Sequence, residues 1–78
     1  MEDLILRRFG QRVANLRHAR QWTQIELAQR TGLHRSYIAG VESGRRNVSF
    51  RNLLRLAQGL GLSPEQLFTD FLSMDRLN

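Results

Sequence analysis

Cysteine and lysine are both absent from this 78-residue chain, and proline occurs once, at Pro64. The lack of cysteine excludes disulfides and thiolate-ligated zinc, and it fits a reducing, cytoplasmic setting. His18 and His34 stand too far apart to share a helical face, so no metal site is expected. No apolar run approaches the roughly 18–20 residues needed to cross a bilayer. Residues 1–20 interleave arginine with apolar residues, where a signal peptide would carry a continuous apolar core. A soluble intracellular protein with no membrane partner is expected. The parts of an enzyme are missing as well: no cysteine nucleophile, no serine–histidine–acid set that spacing supports, and no clustered carboxylates. Gly59-Leu60-Gly61 follows a helical pattern and not a strand, so it is not a phosphate loop. No catalytic residue, cofactor or small-molecule ligand is expected.

A chain this short makes one domain, spanning 1–78, and buries only about 60% of the surface its unfolded form exposes. With disulfides and metals excluded, oligomerisation is the remaining source of added stability. What the chain holds in quantity is arginine: all twelve basic residues are arginine, and the net charge is +5. Arginine presents a planar fork of donors that suits phosphates and guanine edges, where lysine offers a point charge. The distribution is uneven. Residues 1–61 set eleven arginines against Glu2, Asp3, Glu26 and Glu42, whereas residues 62–78 set Arg76 against Glu65, Asp70 and Asp75. A basic body with an acidic end suggests that one region meets a polyanion and the other does not. A coding bias toward arginine is the bland alternative.

Helical periodicity dominates, and five helices are predicted, at about 3–20, 24–31, 35–43, 49–60 and 64–73, with residues 74–78 frayed. Leu6, Phe9, Val13 and Leu16 recur at helical spacing in the first. Thr23 and Glu26 form a capping box for the second, with Trp22 and Leu27 as its hydrophobic staple, and Gly32 follows its end. Ile38 and Val41 give the third its apolar side, and Gly44 ends it. Ser49 caps the fourth, whose expected inner face is Phe50, Leu53, Leu54 and Ala57, and Gly59 and Gly61 close it. Ser63, Pro64 and Gln66 open the fifth in the order cap, first-turn proline and reciprocal glutamine.

Only three or four residues, within Thr31-Gly32-Leu33-His34, separate the second and third helices, so they must cross steeply, as in a helix-turn-helix. Ala28 is small enough for the crossing, and Gly32 tolerates positive φ in the turn. Arg35, Ser36, Ala39, Gly40 and Ser43 then face outward. Gly40 sacrifices about 1 kcal/mol of helix propensity relative to alanine. Close approach of a major groove about 12 Å wide would explain that, and an incidental glycine on a solvated helix is the alternative.

The stretch WTQIELAQRTGLHRSYIAGVE, residues 22–42, resembles the helix-turn-helix of the phage Cro/repressor family, and the resemblance extends over about residues 6–70. Within that family, His34-Arg35-Ser36-Tyr37-Ile38 and the run Glu42-Ser43-Gly44-Arg45-Arg46-Asn47-Val48-Ser49 are similar to controller proteins of bacterial restriction–modification systems. Those are small dimeric regulators of their own gene and the endonuclease gene. The resemblance implies an all-α fold, the compact five-helix bundle of lambda repressor-like DNA-binding domains. It also implies a nucleoid-associated bacterial or phage regulator that binds double-stranded DNA as a homodimer on a partly palindromic operator, with RNA polymerase as a candidate second partner.

Position by position, the resemblance implies base contacts from Arg35, Ser36, Tyr37, Ala39 and Arg46. Phosphate contacts are implied for Thr23, Gln24, Tyr37, Ser43, Arg45 and Asn47. Arg35 would grip guanine O6 and N7 with two hydrogen bonds, worth about 1–3 kcal/mol of discrimination. Arg46 matches a backbone-contacting position that also reaches a base, and Gln24 would meet its phosphate at a helix N-terminus. For Tyr37, packing on sugar-phosphate, reading local DNA shape and half-buried core packing all remain open. Gly40 replaces the longer polar residue of many relatives, which puts a base contact there in doubt. Arg17 and Glu42 match a pair that ties the first helix to the third, and are read as a structural ion pair rather than a DNA contact. His34 is read as a helix cap in preference to a metal ligand or pH sensor.

The fifth helix offers Leu67, Phe68, Phe71 and Leu72, near Leu4 and Ile5, as a two-fold interface, unless the core absorbs them. Recognition helices roughly 34 Å apart would then read the operator. Two rival functions use the same features. One is a protein-interaction adaptor or antitoxin on the same fold, which would not need Arg35, Arg45 and Arg46 facing outward. The other is an RNA binder, which would need exposed aromatics to stack unpaired bases.

Overall fold

The computed structural model describes residues 4–69 in full and the backbone of residues 2 and 3. The expected interface residues Phe71 and Leu72, the acidic Asp70 and Asp75, Arg76 and the end of the fifth helix lie outside the described residues. Four helices are α1 (Glu2–Ala19), α2 (Gln24–Thr31), α3 (Arg35–Glu42) and α4 (Phe50–Leu60). Residues 64–69 form a further helical segment, α5. The architecture is all-α as the sequence implies, with no strand among the described residues.

Local chemistry accounts for the boundaries. The Thr23 hydroxyl accepts from Glu26 N–H at 3.1 Å while the Glu26 carboxylate accepts from Thr23 N–H at 2.7 Å, which satisfies two otherwise orphaned donors. Ser63 and Gln66 repeat this exchange at the start of α5, at 3.1 and 2.9 Å. Gly32 ends α2 with φ 74°, a left-handed conformation open to glycine, and its N–H reaches back to Ala28 O at 2.9 Å. His34 occupies the N-cap position of α3, but its side chain makes no capping hydrogen bond. The imidazole therefore does not cap the helix as expected, and His34 serves that junction through its backbone: its carbonyl accepts from Ile38 N–H at 3.0 Å.

Phe9, Val13, Leu27, Ile38, Val41, Leu56, Ala57, Leu60 and Leu67 close the core. On α4 the buried stripe differs from the expected one. Leu56, Ala57 and Leu60 are buried and Leu53 is half-buried, whereas Phe50 is 75% exposed. Phe50 lies one turn ahead of Leu53 and overruns the edge of the core, and Leu54 is rotated about 100° from Leu53, off the stripe. Leu67, expected at a subunit interface, is fully buried and belongs to the protomer core. Phe68 is half-buried, its ring 5.9 Å from that of Phe9.

Gly10 sets the crossing of α1 over α3. A Cβ added there would collide with the carbonyl oxygens of Val41 and Glu42, so the two backbones touch at this point. The buried Ala28, credited with the close approach from sequence, packs in the core where α2 meets its neighbours.

Candidate nucleic-acid interface

Ile38 and Val41 are fully buried, which pins the inner side of α3 and turns the opposite side outward. Arg35 and Ser36 are exposed there, and Ala39 and Gly40 are half-exposed. The helix is followed by an exposed loop carrying Arg45, Arg46 and Asn47. Together Arg35, Ser36, Ala39, Gly40, Arg45 and Arg46 line a shallow cleft of about 360 Å³. Three arginines around small side chains form a positive concavity with room for a planar, acceptor-rich edge at its floor.

One carbonyl of α3 gathers most of the contacts to the loop. Gly40 O accepts from Arg45 N–H at 2.9 Å, Arg46 N–H at 3.2 Å and Ser43 Oγ at 3.1 Å. Ser43 Oγ also accepts from Arg45 Nε at 3.3 Å, and Asn47 Oδ1 accepts from Val48 N–H at 2.9 Å. The Arg46 guanidinium lies 5.5 Å from the centre of the Tyr37 ring, and Tyr37 Oη reaches toward Asn47 O at 3.5 Å. Tyr37 is half-buried, so the packing alternative raised from sequence describes its ring, while its hydroxyl end faces the loop.

Of the expected phosphate-contacting residues, Thr23 is exposed at the N-terminus of α2. Gln24 is half-buried and differently engaged: its Nε2 donates to Glu42 Oε1 at 3.0 Å. That bond joins the start of α2 to the end of α3 and uses one of the two Nε2 hydrogens.

Glu42 is the acceptor at the centre of a buried polar cluster. Arg17 Nε and Nη2 donate to its two oxygens at 2.7 and 2.9 Å, and Arg17 Nη1 donates to Trp22 O at 2.8 Å. The pair thus ties α1 to α3 and to the α1–α2 turn. The hydrogen bond to Glu42 holds the Arg17 guanidinium above its ordinary pKa, outweighing the opposing effect of burial, so Arg17 stays charged at any working pH.

Several arginines counted from sequence toward a polyanion-binding surface are instead engaged within the fold. Arg12 donates to Leu67 O at 3.1 Å and Gln66 O at 2.8 Å. Arg20 donates to Leu16 O and Leu60 O, both at 2.9 Å, covering carbonyls near the ends of α1 and α4. Arg30 stacks 4.0 Å above the Trp22 ring. Arg12 and Arg20 were missed by sequence reasoning. For Arg20 the available signal was a cation just past the end of α1, where arginine commonly meets the last carbonyls, whereas Arg12 stands mid-helix and carried no such signal.

A helix-turn-helix domain family matches residues 8–68. Control protein C.BamHI of Bacillus amyloliquefaciens is 39% identical over 67 residues, which is 85% of this chain and 82% of that protein. The crystal structure of the restriction-modification controller protein C.AhdI from Aeromonas hydrophila superposes with a TM-score of 0.78 and 51% identity, covering 81% of this chain and 96% of that one. The controller protein C.Esp1396I, solved as a tetramer in complex with its natural 35 base-pair operator, superposes with a TM-score of 0.82 at 28% identity. That match covers 88% of this chain and 91% of the other.

Proposed function

The chain belongs to the helix-turn-helix family and, within it, to the restriction-modification controller proteins, and from that premise we propose that it is a sequence-specific double-stranded DNA-binding transcriptional regulator. The observation that carries this reading is the outer side of α3, where Arg35 and Ser36 are exposed beside a cleft ringed by Arg35, Arg45 and Arg46. In this reading Arg35 and Ser36 enter the major groove and read base edges, with Ala39 at the floor and Arg46 beside them. Arg45, Ser43, Asn47, Tyr37 and Thr23 meet the sugar-phosphate backbone. The chain catalyses nothing and needs no cofactor or small-molecule ligand, and it works in the cytoplasm of a bacterium. Among the described residues no helix is long and apolar enough to cross a membrane.

The active form is a homodimer on a partly palindromic operator. Supporting this, Ile5 is half exposed and, with Leu6, Phe9, Asn47, Val48, Leu53 and Phe68, lines an apolar hollow of about 140 Å³. A second copy meeting this end through Phe68 would cover the hollow and add the stability a chain this small lacks. RNA polymerase is the further partner such a regulator meets at a promoter.

Binding to random duplex DNA as salt is raised tests the central reading. Log K is expected to fall linearly with log salt, with a slope of about −0.9 per phosphate neutralised. A flat line would instead favour a protein-binding adaptor or antitoxin. Arg35→Ala is expected to erase preference at one base pair per half-site, about 1–3 kcal/mol, measured by competition between duplexes differing at that pair. Uniform weakening on every duplex would reduce Arg35 to a phosphate contact.

A further inference from the structure

Gly40 looks, from sequence, like a position bared for DNA. The structure gives its bareness another occupant. A Cβ built on Gly40 would stand 2.5 Å from Arg46 Cγ, 3.5 Å from Arg46 Cβ and 3.6 Å from Arg46 Nε, and these are its three nearest neighbours. The stem of Arg46 therefore lies across the α-carbon of Gly40. Beyond that crossing, the guanidinium is carried to the Tyr37 ring and the rim of the cleft. The loop backbone beneath Arg46 is anchored separately, through the N–H groups of Arg45 and Arg46 that donate to Gly40 O.

Resting on the DNA-binding reading, we infer that Gly40 is a positioning residue: its missing side chain seats Arg46 across α3, so that helix and loop form one composite base-reading surface. A long, flexible arginine loses rotamer freedom when it grips a base edge, and a preset path lowers that loss. Gly40 reads no base itself. Its effect on sequence discrimination passes entirely through Arg46, which differs from the view that glycine merely lets the groove come close. Alanine at position 40 keeps the carbonyl and its three hydrogen bonds and improves helix propensity, so only the path of Arg46 has to change.

The test is a double-mutant cycle on a site selected by the wild-type protein from a randomised duplex pool. Wild type, Gly40→Ala, Arg46→Ala and the double variant are compared on that duplex and on its single-base-pair changes. Gly40→Ala is expected to lose about tenfold discrimination at the base pair where Arg46→Ala loses it. In the Arg46→Ala background the same substitution is expected to change nothing further. Undiminished discrimination in Gly40→Ala, or a loss of equal size in the Arg46→Ala background, overturns the inference and leaves the DNA-binding reading intact. Failure of the wild type to enrich any sequence overturns both. A second measurement needs no DNA. The Arg46 Nε–Hε order parameter in the free protein is expected to fall on Gly40→Ala, with melting at or above the wild-type temperature. Equal Arg46 mobility in the two proteins contradicts the inference.

Discussion

Replacing Glu42 with alanine is expected to lower the unfolding free energy by about 3–5 kcal/mol, most of the stability of a chain this small. The side chains of Arg17 and Glu42 are only 10% and 7% exposed, so the pair is desolvated. Removing the carboxylate leaves the Arg17 guanidinium charged and buried, with Trp22 O as its remaining strong acceptor, and strands the Gln24 amide that also donated to Glu42. Urea unfolding followed by circular dichroism at several protein concentrations reads the effect, because self-association adds to apparent stability. A loss below about 1 kcal/mol, the value of an exposed pair, would show that water reaches the cluster. Combining Glu42→Leu with Arg17→Met should recover part of the loss, since no unpaired charge remains. The recovery stays incomplete because Trp22 O then has no guanidinium donor.

Gly10→Ala is the second large effect, expected to cost about 2–3 kcal/mol. Alanine alone would favour α1 by about 1 kcal/mol, so the sign of the measured change decides which influence wins. The obstacle to a Cβ at this position is backbone: Val41 O, then Glu42 O at 2.7 Å and Glu42 C at 2.9 Å. A flexible side chain would swing aside, as Arg46 does in the Gly40 variant. A helix carbonyl moves only with its helix, so α1 and α3 must separate. The same separation stretches the Arg17–Glu42 bridge two turns along the same face of α1, so the losses from Gly10→Ala and Glu42→Ala should add to less than their sum. An unchanged or raised denaturation midpoint for Gly10→Ala would mean that the helices part freely here.

Much of the fold was legible in the chain because the rules that shape it act within one helical turn. Thr23 with Glu26 and Ser63 with Gln66 are capping pairs three residues apart, and Gly32 marks a helix end at the next residue. The short turn of Gly32, Leu33 and His34 dictates a steep crossing, and Ile38 with Val41 dictates which side of α3 is buried. From these alone follow the all-α architecture and the outward placement of Arg35 and Ser36.

Other features depend on residues far apart in the chain meeting at a helix crossing. Leu67 and Phe50 have similar hydrophobicity, yet the core ends between them, leaving one fully buried and the other 75% exposed. Arg12 and Arg35 are the same residue type, but Arg12 finds carbonyls at 66 and 67 while Arg35 faces the cleft. Gly10 and Gly40 are both mid-helix glycines, and only the tertiary structure reveals that one admits a neighbouring backbone and the other the protein's own Arg46. The amino-acid order by itself determined the helices, their ends and the exposed side of α3, because hydrogen bonds and periodicity reach only about four residues along the chain. Which arginines hold the fold and which remain for a partner was decided by packing, because that depends on where two helices come within van der Waals contact.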